Sequence, residues 1–548
     1  MNKKTFLFLT FFFILTFSVS WAAKDINITP TPQNLVYKNY DVEIKKDWSL
    51  VVGKDDEEIF SLARYLVEKL LNRFDLSMGI QRGLSTQIGK SIVLKLLSEQ
   101  LKELGEQGYI LEVFEDHILI TANKPVGIFY GIQTLLQLTK TRLGKIIVPA
   151  VNIIDFPKTK FRGVHINAAN LENLKPEIDA MSELKMNVAI IENWAFFNLD
   201  KDDNKEKLVD IFDYARERFI EPIPHLNSFS YAGPVLSKDP YAAEGIWIKD
   251  EHFKFVNGEA VAIKPTEHTL VNVIRCEDSS IIVTSLDKTK TYKEGVDYKI
   301  IEGDISYPFS LNNRPAKIIR FNSGNIRDGD EVLVSYDYVE RKTAPWATWT
   351  TPYCPSSERT YKIMLNALED VITALNPKYI SIVHDEILGL NRDSRCKKRN
   401  LTNAELLADE INRLNDLVKS IDPKIRLLMW DDMINPWHNG GNENLQVQFG
   451  GIPGKTSDAV DLIPSDMIIM IWWYDANDRL NKMRNSPDFF ESKGFDYLVA
   501  GYKDKKNIKN WTELIKNKEK CLGIITTTWD GWDKNIEGIK FTAEMEWH

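Results

Sequence analysis

Two adjacent carboxylates, Asp385 and Glu386, close the short apolar run Tyr379-Ile-Ser-Ile-Val383, with His384 immediately before them. Side by side, two carboxyl groups can divide acid–base work, one delivering a proton while the other holds an anion or orients a substrate. An Asp-Glu pair taken alone more often caps a helix or stays solvated, so its position decides its meaning. Here the β-branched run lies between one helix-like stretch, Arg359 to Leu375 closed by Asn376-Pro377, and another, Asn403 to Val418. That alternation predicts a parallel strand covered on both faces. In parallel α/β folds, ligands and catalysis gather beyond the carboxyl ends of the strands.

The same rhythm runs from Lys160 onward. Strands are expected at Phe161–Asn167, Asn187–Glu192, Phe219–His225, Tyr379–His384, Ile425–Trp430, Met467–Trp473, Tyr497–Tyr502 and Leu522–Thr528, with helical segments between most of them, Asp475–Arg484 among these. Repeated strand–helix units over residues 159–548 predict an α/β fold of the (β/α)8 TIM-barrel type. The alternative is an open doubly wound sheet, but no glycine-rich phosphate loop follows the first strand. The expected strand ends bring further chemistry: Arg162 and His165, His225 and Asn227, Trp430-Asp431-Asp432, Trp472-Trp473-Tyr474-Asp475, Gly501-Tyr502 and Trp529-Asp530. Aromatic faces beside carboxylates suit a sugar, which offers an apolar face for stacking and hydroxyls for hydrogen bonds.

Two further units position this barrel. Residues 23–158 read as a small α/β domain, with an amphipathic helix at Glu57 to Phe74 and a second at Pro125 to Thr139. Between His225 and Tyr353 the rhythm breaks, and short β-like runs separated by turn residues predict an inserted β-rich module over 256–340, since an interval that long is rarely structureless. Met1 to Ala22 has Lys3-Lys4, a Phe-rich apolar run and Ser20-Trp21-Ala22, the pattern of a secretory signal peptide, with an uncleaved anchor as the alternative. An exported protein (periplasmic or secreted) with no membrane span after cleavage is the expectation.

With 548 residues, 43% hydrophobic content and 14 Trp, the chain has material for several cores. A net charge of -9 and the lack of a basic stripe argue against a nucleic-acid partner. Four scattered cysteines permit disulfides or simply buried thiols. No zinc-type spacing occurs and the few histidines do not cluster along the chain, so neither a metal nor a cofactor is expected.

Taken in order, a set of short motifs resembles glycoside hydrolase family 20, the β-N-acetylhexosaminidases. They are Gly108-Tyr-Ile-Leu-Glu-Val113, Gly127-Ile-Phe-Tyr-Gly-Ile-Gln-Thr-Leu-Leu136, Pro149-Ala150 to Asp155-Phe-Pro157, Phe161-Arg-Gly163, Lys185-Met-Asn187, Ile223-Pro224, Tyr353-Cys-Pro-Ser356, Thr360-Tyr361, Asp385-Glu386 and Trp430-Asp-Asp432. The resemblance implies substrate-assisted retaining hydrolysis of an oligosaccharide or glycoconjugate. Glu386 would be the general acid, and Asp385 would orient the 2-acetamido group, whose carbonyl oxygen attacks the anomeric carbon. Tyr502 would hold that carbonyl; Trp430, Trp473 and Trp529 would wall the sugar; Arg162, Asp530 and His384 complete the expected substrate contacts. The family's His-x-Gly-Gly before the acid pair is here Ser381-Ile-Val-His384, and Gly531 stands where a Glu is usual after the eighth strand. Two readings compete: a glycosidase for another sugar with Asp431 or Asp530 as second carboxylate, and a glycan-binding protein without catalysis.

Overall fold

Runs such as Val188–Glu192 and Ile468–Trp472 are almost unbroken in apolar residues, and the structure buries them on both faces. The structure, a computed structural model, describes residues 26–83, 89–201, 203–341, 350–441, 455–477 and 481–548. The expected signal segment Met1–Ala22 lies outside the described residues. Eight parallel strands close into a barrel in chain order: Phe161–Asn167, Val188–Glu192, Glu221–His225, Tyr379–Ser381, Arg426–Trp430, Ile468–Trp472, Asp496–Gly501 and Cys521–Thr527, the last pairing back with the first. Side chains two apart face the axis, so Ile190, Leu428, Trp430, Met470, Trp472 and Leu498 pack together inside. The intervening residues, among them Ile191, Met429, Ile471, Trp473 and Val499, pack outward under the helices.

Ahead of the barrel, a mixed sheet built from strands between Asn34 and Asp155 carries the helices Glu57–Phe74 and Pro125–Leu138. The first helix starts where Asp56 accepts a hydrogen bond from the Ile59 amide at 3.1 Å and buries Ile59, Leu62, Ala63, Leu66 and Leu70 on one stripe. The second lies close to the sheet because Gly127 has no side chain; a Cβ there would meet the Gly108 carbonyl oxygen at 2.3 Å. This domain is tied to the barrel by a buried knot. Asp155 accepts from Lys185 at 3.0 Å, from Tyr109 at 2.6 Å and from the Trp547 indole at 2.6 Å.

The insertion is an antiparallel sheet between the third and fourth barrel strands, running from Ile246–Val256 to Glu331–Tyr338. It begins at Ile246, earlier than the expected 256, because Ile246–Val256 pairs along much of its length with Glu331–Tyr338. Asp337 at the end of the sheet accepts from the Ser394 amide at 2.9 Å, anchoring the module to the loop after the fourth barrel strand. The helix expected over Asp475–Arg484 instead starts at Lys482. Asp475 accepts from the Asn477 amide at 2.8 Å, a local turn that competes with helix.

Candidate active site

The fourth strand is shorter than its sequence suggests, ending at Ser381 instead of His384. Beyond it Val383 and His384 both have φ 66° and Glu386 has φ 49°, left-handed backbone that is uncommon for any residue but glycine and costly for a β-branched one. Val383 and His384 stand where the resembled motif has Gly-Gly, the residue type that takes such backbone at least cost. The twist turns Asp385 and Glu386 into the mouth of the barrel. The turn is pinned on both sides, by the Ile382 amide donating to Leu428 O at 2.8 Å and the Trp430 amide donating to Val383 O at 2.9 Å.

Asp385 is 8% exposed, and its Oδ1 is buried without a hydrogen-bond partner. Burial, reinforced by the negative charges of Glu386, Asp432 and Glu192, pushes its carboxyl well above the usual range. Glu386 is raised to about 7, chiefly by burial, against the Tyr231 hydroxyl that donates to its Oε2 and favours the charged form. The Glu386 amide donates to Asp432 Oδ2 at 2.9 Å, and burial lifts Asp432 to about 6. Three neighbouring carboxyls that cannot all ionise cheaply hold a proton near neutrality, the condition for a general acid. Asp431, the other acid of that pair, faces away: it accepts from the Trp472 amide at 3.0 Å and from Asn435.

Around the acids stands an aromatic wall. Trp430 is 1% exposed in the barrel interior, its ring 6.0 Å from that of Trp529. Trp529, half-buried at the rim, lies 4.4 Å from the His165 ring and donates its indole N–H to the Tyr474 hydroxyl at 2.9 Å. Tyr474 continues to Trp472 at 5.3 Å and Tyr502 at 5.4 Å. Burial, with the charges of Asp385 and Glu386 adding to it, raises the Tyr474 phenol far above its ordinary range, so it remains a donor.

Of the residues expected from sequence, Asp385, Glu386, Trp430, Trp529 and Tyr502 come together. Four do not. Arg162 sits near the amino end of its strand, 1% exposed, donating to Lys185 O, Thr159 O, Gln107 and Tyr130; it clamps the barrel floor to the first domain. His384 turns into the wall, its Nδ1 on Ile382 O and its Nε2 against Glu410, so its donors and acceptors are used internally. Trp473 points outward under Lys482, 4.0 Å from its ring centroid, because its neighbour Trp472 takes the inward position. Asp530 is beside Tyr502 but turned to the rim, where Lys503 at 2.8 Å, Asn535 at 2.6 Å and the Tyr502 hydroxyl occupy its carboxylate and keep it low. Sequence reading named Asp432, Trp472 and Tyr474 at their strand ends without giving them a role, and passed over Tyr231. Counting by twos from Trp430 and Met470 would have selected Asp432, Trp472 and Tyr474, whereas Tyr231, on a turn after the third strand, has no local signature.

Residues 25–156 match the family described as glycosyl hydrolase family 20, domain 2. The beta-hexosaminidase of Porphyromonas gingivalis is 27% identical over 256 residues, 40% of this chain and 32% of that protein. The lacto-N-biosidase of Bifidobacterium bifidum is 25% identical over 202 residues, 33% of this chain and 17% of that one. The chain thus spans about a third or less of the length of these curated relatives. Among solved structures, the fold matches the family 20 exo-β-N-acetylglucosaminidase of Vibrio harveyi with TM-score 0.60 at 14% identity, covering 95% of this chain and 73% of that one. It matches the chitobiase of Flavobacterium johnsoniae with TM-score 0.60 at 18% identity, covering 95% and 69%. It also matches the β-N-acetylhexosaminidase of Bacteroides fragilis with TM-score 0.60 at 15% identity, covering 95% and 91%. The domain match over residues 25–156, the curated relatives and the shared barrel fold agree, and the chain is similar to the β-N-acetylhexosaminidases of glycoside hydrolase family 20.

Proposed function

We propose that this protein is a glycosidase that removes terminal β-linked N-acetylhexosamine by a substrate-assisted retaining mechanism. The observation that carries the reading is the buried Asp385 beside the half-buried Glu386 at the barrel mouth, with Glu386 poised at about 7. Glu386 gives its proton to the glycosidic oxygen as the C1–O bond breaks, while the acetamido carbonyl oxygen bonds to C1 from the opposite face. With the proton held by the neighbouring carboxyls resting on Glu386, Asp385 accepts from the acetamido N–H, and its carboxylate steadies the positive charge that develops on the ring so formed. Water then attacks C1, its proton passing to Glu386, and the acetamido group is regenerated. Trp430 and Trp529 supply apolar faces for the sugar. Tyr474, with Tyr502 beside it at 5.4 Å between ring centroids, supplies a phenolic donor for the acetamido carbonyl.

Export belongs to the same proposal and rests on the leader Met1–Ala22; amino-terminal sequencing of the mature protein from its host tests it. For the chemistry, the test is chromophore release from an aryl β-N-acetylglucosaminide by wild type, Glu386→Gln and Asp385→Asn. Wild-type turnover lost by orders of magnitude in both variants is expected. Turnover on other aryl glycosides alone, or glycan binding without turnover on any, would overturn the reading.

A further inference from the structure

The first three strands end in a cluster that the proposed hydrolysis does not use. His165 is 0% exposed and His225 is 1% exposed, and their rings meet edge to face with centroids 4.8 Å apart. Glu192 lies between their strands, its Oε2 3.3 Å from His165 Nε2. The histidines, dispersed along the chain, therefore do cluster in space, contrary to the expectation from sequence. One ligand-type atom from each of the three side chains lies within 4.8 Å of the others. Apart from the approach of His165 Nε2 to Glu192 Oε2, both ring nitrogens of His165, Nδ1 of His225 and Oε2 of Glu192 are buried with no hydrogen-bond partner among the described residues. Buried polar atoms so poorly satisfied are costly, and their convergence asks for an occupant.

We infer that His165, Glu192 and His225 form a binding site for a divalent first-row transition ion, with zinc(II) the simplest fit. Two imidazoles and one carboxylate are a recurrent donor set for such ions when a coordination position is left open. Ligands about 2.1 Å from a tetrahedral ion lie about 3.4 Å apart, close to the His165–Glu192 separation of 3.3 Å. The carboxylate is already oriented, since Asn227 Nδ2 donates to Glu192 Oε1 at 2.6 Å and leaves Oε2 toward the histidines. Trp430, with its ring 5.9 Å from His165 and 6.2 Å from His225, closes the apolar side. The ion's open positions would take water or neighbouring sugar hydroxyls.

The inference stands apart from the hydrolytic reading and is tested without an activity assay. Tag-free full-length protein, stripped with chelator and desalted, is titrated with Zn²⁺ by calorimetry and with Co²⁺ by visible absorption. One ion per chain with a Co²⁺ ligand-field band is expected in wild type. Stoichiometric binding should be lost in His165→Asn and His225→Asn, and affinity should fall by roughly 10–100-fold in Asn227→Leu, which disturbs only the orientation of Glu192. Absence of the band in wild type overturns the inference whether or not the variants fold. So does undiminished binding in a histidine variant that retains its melting temperature.

Discussion

Replacing Tyr231 by Phe keeps the ring in place and removes a single hydroxyl, the one that donates to Glu386 Oε2. Burial and the charges of Asp385 and Glu386 raise that phenol far out of the titrating range, so in wild type it is a donor at every working pH. The bond favours the ionised form of Glu386 and works against burial, which sets the carboxyl at about 7. A hydrogen bond to a charged acceptor contributes about 1.5–3 kcal/mol, and about 1.4 kcal/mol corresponds to one pKa unit. Its loss should therefore lift Glu386 by about 1–2 units. Because the acid must be protonated to act, the alkaline limb of kcat/KM moves upward by that amount. The assay is initial-rate hydrolysis of an aryl β-N-acetylglucosaminide across pH, for wild type and Tyr231→Phe. An alkaline limb that stays put or moves downward would refute the assignment of Glu386 as the acid tuned by Tyr231.

The buried acids also set how stability depends on pH. Glu386 is raised to about 7 from 4.5, so between those values the folded chain holds a proton that the unfolded chain releases. Its contribution is full below pH 4.5 and is lost as pH rises through 7, up to about 3 kcal/mol; Glu386→Gln should flatten that slope in urea midpoints measured at mildly acidic and mildly alkaline pH. Arg162→Met should lower stability by about 3 kcal/mol in chemical denaturation, because it strands four acceptors and the nearby Glu546, while leaving KM unchanged. Trp529→Ala, at the half-exposed rim, should do the reverse, raising KM by roughly 3–10-fold with a smaller effect on stability.

Strand and helix identity in this chain is a local property, and so it could be read from the order of residues. The runs at Val188, Met429 and Ile468 are apolar because both faces are covered, and the stripe Ile59, Leu62, Leu66 and Leu70 marks its helix without reference to anything distant. The pair Asp385-Glu386 was legible for a similar reason, since a parallel strand's carboxyl end opens onto the mouth of the fold. Side-chain direction was not legible from strand ends alone: a one-residue step exchanges the interior for the helix layer, which put Trp472 and Asp432 at the site in place of Trp473 and Asp431. Arg162 shares the first strand with His165 but lies near its opposite end, and only the registered ring shows that the two ends serve different purposes. The convergence of Tyr231 on Glu386, and of His165, Glu192 and His225 on one another, depends on eight strands closing a circle. Such contacts join residues far apart in the chain, and it is the closure of the barrel, which no local pattern encodes, that brings them within reach.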